Sequence, residues 1–182
     1  MAVEHGEGPP PEDLPPGELP PEAEVGALAE RLKERIYATI TMIAVLVGLS
    51  AGHAGLAGAL ATVLTTALGL WLATVVADQQ AHRTVHRRRA TGRELRRMLY
   101  VSSPLLSCAV GPAVMIGLAA LNVFALSTAL LTAVGLAIAS LFVWGCVGGL
   151  RMGGGALAAV VAGLLDAAVG LAVALVKASA GH

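Results

Sequence analysis

The chain has 182 residues, of which 56% are hydrophobic and 13% charged, whereas soluble domains carry about 25% charged residues. That balance excludes an ordinary water-soluble domain. The zero net charge hides two opposite blocks: eight of the twelve acidic residues precede Arg31, and seven of the twelve Lys and Arg residues lie within residues 82–97.

Residues 1–21 hold all but two of the nine prolines, together with Glu, Asp and Gly. Such a segment has too little apolar surface to offset the entropy of ordering, so a disordered acidic tail is predicted, suited to docking a cytosolic protein partner. From Glu22 the spacing turns helical. Val25, Leu28, Leu32 and Ile36 recur every three or four residues, with Glu24, Glu30, Arg31, Lys33, Glu34 and Arg35 around them. This predicts an amphipathic juxtamembrane helix over 22–35. No secretory signal is expected, because the first apolar tract follows an acidic leader.

Ile36 to Ala77 is 42 residues with His53 as its one strongly polar side chain. A span needs roughly 17–25 residues, so this tract holds two, about 34–51 and 56–77, with a turn at AGHAG and His53 at the far interface. A third span is predicted at about 98–121, kinked by Pro104 and Pro112, because proline removes a backbone hydrogen bond. Asn122 suits a short turn. Spans at about 123–148 and 156–176 follow, separated by the glycine-rich GGLRMGGG. The fold class is therefore all-α, a membrane protein whose five-helix domain covers 36–177.

Positive residues stay on the cytoplasmic side of a membrane. A five-span chain puts Arg31, Lys33, Arg35, Arg83, Arg87, Arg88, Arg89, Arg93, Arg96, Arg97 and Arg151 on one side and Lys177 alone on the other. The N-terminus is therefore expected in the cytoplasm and the C-terminus outside, in the inner cell membrane. The seven arginines of the 82–97 loop act as topology determinants touching anionic lipid. They are not a nucleic-acid site, since no aromatic residues interleave them.

Asp166 is the one ionisable residue well inside a span, where a carboxylate is costly and usually faces the interior of a bundle. Ala159, Gly163, Asp166 and Gly170 share one helical face, so Asp166 is the candidate functional carboxylate, in an ion or proton role or in an interhelical hydrogen bond. On span 2, Gly58, Thr62, Thr65, Gly69 and Ala73 form a second small-residue stripe, expected to be a close-packing surface. Cys108 and Cys146 read as small hydrophobes between helices, bridged only if their spans are neighbours at matching depth. His82 and His86 stand one turn apart, but the arginines around them oppose a cation. No catalytic set, metal site or cofactor motif is found, so an enzyme is not expected.

The last two spans, ALLTAVGLAIASLFVWGCVGGLRMGGGALAAVVAGLL, resemble those of the vacuolar iron transporter family, with its small-residue fourth helix, Leu-Phe-x-x-Gly ending, short glycine-rich loop and fifth helix. VLVGLSAG and TTALGLWLATVVADQQ are similar to its first two spans in outline. The resemblance implies a five-span fold, a homodimer and cation transport. Its departures fall on the chemistry: Tyr37 stands where the family has Asp-Gly, Thr66 replaces a Met, and Gly69-Leu70-Trp71 replaces Gly-Glu-Tyr. Where the family inserts a glutamate-rich metal-binding segment, this chain has the basic 82–97 stretch. A diverged transporter without the usual Fe²⁺/Mn²⁺ ligands is the first expectation. A non-transporting scaffold, engaging cytosolic partners through the acidic tail and basic loop, is the second.

Overall fold

A computed structural model describes residues 21–52, 54–87, 90–151, 153 and 155–180. Among them the secondary structure is entirely helical, in six helices: α1 (Pro21–Ala51), α2 (Leu56–His86), α3 (Gly92–Ser107), α4 (Val110–Ala120), α5 (Leu126–Arg151) and α6 (Gly155–Ala180). With α3 and α4 taken as one broken span, Gly92–Ala120, five segments are long and apolar enough to cross a membrane. Such an all-α chain is built as a multi-pass membrane protein. The acidic tail, His53, Arg88 and Arg89 lie outside the described residues.

Helix α1 is the centre of the bundle and packs against α2, α3, α5 and α6. Its Ala38, Met42, Ile43, Leu46 and Val47 are buried, and meet Ala59 and Val63 of α2, Ile116 of α4 and Leu130, Ala133 and Leu141 of α5 in one core. The outward faces carry Leu64, Leu68 and Leu72 on α2 and Leu157, Leu164, Leu171 and Leu175 on α6, all exposed. In water so much apolar surface would be a liability, whereas lipid tails cover it at no cost.

The helix ends differ from the sequence expectation in an instructive way. The juxtamembrane segment 22–35 is continuous with the first span, and the basic 82–97 stretch is mostly helix rather than loop, since α2 runs to His86 and α3 starts at Gly92. At 31 residues, α1 and α2 are each about 46 Å long by helical rise, more than the ~30 Å hydrocarbon layer. The overhang carries the charges beyond the membrane. The α3 start is held by a capping box: the Glu94 carboxylate accepts from the Thr91 N–H at 2.6 Å and from its hydroxyl at 2.8 Å.

The third span is interrupted at Cys108–Ala109, between its two prolines. Pro112 has no N–H to offer the Cys108 carbonyl, and its ring crowds that carbonyl. At the break the Ala109 N–H bonds the Leu106 carbonyl at 3.3 Å rather than that of Leu105, to which the Cys108 thiol donates at 2.9 Å. Pro104 likewise deprives the Tyr100 carbonyl, and the Ser103 hydroxyl donates to it at 2.8 Å. Beyond α4, Asn122 takes a left-handed φ of 58°. The Val123 N–H reaches the Leu118 carbonyl and the Asn122 N–H the Ala119 carbonyl, which closes the helix end as a Schellman motif.

Candidate functional site

Three polar places in the bundle are candidates, and the first is the one singled out from sequence. Helices α5 and α6 form a tightly packed antiparallel pair. A Cβ placed on Gly145 would lie 2.7 Å from the Gly163 Cα, and one on Gly149 2.5 Å from the Ala159 Cα. Gly145 and Gly149 on α5, and Ala159 and Gly163 on α6, are spaced four apart, the pattern that lets helices approach closely in lipid. Asp166 is partly buried at this seam, with its Oδ2 2.6 Å from the place of a Gly145 Cβ. The segment expected as a glycine-rich loop, 148–155, is therefore helix through Arg151, and Gly149 belongs to the packing.

The small-residue stripe of α2 is placed differently from the expectation. Gly58, Thr62, Thr65, Gly69 and Ala73 are all exposed, and α2 instead turns Ala59, Val63 and Ala67 inward. The inward strip is wholly apolar, whereas the stripe carries the Thr62 and Thr65 hydroxyls, which donate to carbonyls of their own helix. Both cysteines are free thiols; Cys108 sits at the break in the third span, while Cys146 packs against Gly163.

The second place is an open cleft of about 420 Å³ at the N-terminal end of α1, walled by Glu30, Asp78, His82, Glu94 and Arg97. His82 lies 3.6 Å from the Glu94 carboxylate, which joins the end of α2 to the start of α3. Arg83, Arg87, Arg93 and Arg96 are exposed around it. No group of three or more metal-ligating side chains is found among the described residues.

The third place was not anticipated from the sequence. A half-open cavity of about 250 Å³ lies between α1, the break in the third span and α5, with Ser107, Gly111 and Leu136 of its lining exposed at the bundle surface. Arg35, Thr39 and Met42 form one wall, Ser107, Cys108 and Pro112 the second, and Ala137, Ser140 and Trp144 the third. Its α5 wall runs from Ala133 to Trp144, about 17 Å of helix, so it reaches from the N-terminal end into the middle of the bundle. At its mouth the Arg35 guanidinium stands 4.4 Å from the centre of the Trp144 ring. One turn earlier Arg31 stacks on Tyr100 at 3.9 Å. The two pairs tie α1 to α5 and to α3, each contributing about 0.5–2 kcal/mol.

The sequence did contain a signal for this cavity: two prolines in one span, with serine and cysteine between them, mark a broken helix. Non-helical backbone at membrane depth is tolerated where it is buried in protein or lines a cavity. Asp166 does not line the cavity; Ser140 and Trp144 face it, while Leu141 and Gly145 on the adjoining strip of α5 face α6. Comparison with protein-family models, with curated proteins and with solved structures finds no match.

Proposed function

We propose that this protein is a small membrane transporter whose solute pathway runs through the cavity at the broken third span. One observation carries the reading: the interruption at Cys108–Ala109 borders a cavity within the span, mostly apolar but holding the Arg35 guanidinium. Discontinuous spanning helices commonly form the solute sites of transporters. A two-part span also supplies a hinge, since α3 and α4 can tilt separately about the two residues between them.

The resemblance to the vacuolar iron transporter family supports the transport class but not its usual cargo. Arg35 lines the cavity and no carboxylate does, so a divalent cation would meet repulsion there with no compensating ligand. We assign Asp166 to proton coupling, because it is the one carboxylate deep in a span and lies on the neighbouring face of α5. A homodimer in the inner cell membrane, with the N-terminus in the cytoplasm, completes the proposal.

Reconstitution in liposomes tests it, with uptake followed for protons, Fe²⁺, Mn²⁺ and a short-chain carboxylate. Net movement of at least one of these is expected, with loss when the cavity is filled by Ser140→Trp. Absence of every flux, with a folded protein, would overturn transport and leave the scaffold reading.

A further inference from the structure

The cavity carries a chemical preference that neither its position nor the resemblance implies. Among the described residues no ion pair within 4.0 Å is found at Arg35, whereas Lys33 pairs with Glu30 and Glu34, and His82 with Glu94. The Arg35 guanidinium carbon lies over the Trp144 indole, 4.4 Å from the ring centre. No hydrogen bond from the guanidinium N–H groups is found among the described residues, and a guanidinium offers a fork of donors that matches a carboxylate or phosphate in two-point contact.

The remaining walls are sorted by polarity. Met42, Leu136 and Pro112 are apolar. The hydroxyls of Thr39, Ser107 and Ser140 donate to carbonyls of their own helices, at 2.7–2.8 Å. They therefore offer the cavity no further proton, and Arg35 is its one strong donor.

We propose that this cavity binds a small organic anion, with its carboxylate or phosphate on Arg35 and its apolar part along Met42, Leu136 and Pro112. The proposal rests on the cavity being a solute site, as argued above. The same anionic group could be brought by a free solute or by a lipid headgroup, and both would use the one fork.

The test is binding of octanoate to the full chain in phosphatidylcholine nanodiscs, read from Trp144 fluorescence in a Trp71→Phe background. Octanoate is expected to bind saturably, at least tenfold more tightly than octanol or octylammonium, and to slow alkylation of Cys108. Arg35→Gln should weaken it tenfold or more, and Arg35→Lys by less, since the charge stays while the fork is lost. A free solute is indicated if octanoate still binds when phosphatidylglycerol is added to the nanodiscs. A lipid headgroup is indicated if that lipid alone shifts the fluorescence and blocks octanoate. Equal binding of octanol, or an affinity within twofold in Arg35→Gln, would overturn the anion assignment while Cys108 protection still upheld the cavity. If no ligand protects Cys108, the solute site itself falls, and the anion assignment with it.

Discussion

Close approach at single glycines sets the α5–α6 seam. A Cβ on Gly163 would meet the Cys146 Sγ at 2.5 Å and the Phe142 carbonyl at 2.6 Å, whereas one on Gly117 meets nothing within 4 Å. Gly163→Ala is therefore expected to destabilise the protein by about 1–3 kcal/mol through overpacking. Gly117→Ala should be neutral or stabilising by about 0.5–1 kcal/mol, because alanine restricts the unfolded chain. Thermal unfolding in detergent distinguishes them. Half of this seam was legible: the spacing of Ala159, Gly163 and Gly170 marks one face of a helix. Gly145, inside the predicted fourth span, was not singled out, and Gly149 was not because the glycine-rich run it belongs to reads locally as a loop. Asp166→Asn keeps the side-chain volume, so it should leave folding intact, and under the proposed proton coupling it should abolish proton uptake into liposomes; unchanged uptake would contradict that assignment.

At the scale of helices, the break in the third span and the hairpin between α2 and α3 do most to shape the site. Pro112→Ala returns an N–H to face the Cys108 carbonyl and removes the ring that crowds it. The expected outcome is fusion of α3 and α4 into one helix, read as slower alkylation of Cys108. Unchanged reactivity would mean that Pro112 is not what holds the cavity open. In the hairpin, Thr91→Ala removes one half of the capping box and should cost about 1 kcal/mol, seen as faster hydrogen exchange in the first turn of α3. The prolines announced a kink, but a kink alone does not say that side chains from α1 and α5 enclose space beside it. Periodicity likewise found a small-residue face on α2 without saying whether it turns inward. The strip that packs inward, in one core with Met42 and Leu46 of α1, is instead Ala59–Val63–Ala67.

Across the whole molecule, five spans separate charge so that eleven of the twelve Lys and Arg residues share one side. That asymmetry predicts a cytoplasmic N-terminus. With both native cysteines replaced by serine, a cysteine at Ser179 should react with an impermeant maleimide in intact cells, and one at Arg93 should not. The reverse pattern would contradict the orientation. The number of spans was legible because tract length and hydropathy are one-dimensional properties of a chain. The central position of α1 and the Arg35–Trp144 mouth depend on which helices become neighbours, and nothing local encodes that. A solute pathway through the broken span requires that the cavity open in turn to each side of the membrane. The direct measurement is alkylation of Cys108 by an impermeant thiol reagent in a Cys146→Ser background, applied to oriented vesicles from each face in turn. Labelling from both faces, at different rates and slowed by a bound anion, is the predicted result; labelling from one face only, or from neither, would contradict a transport pathway through the broken span.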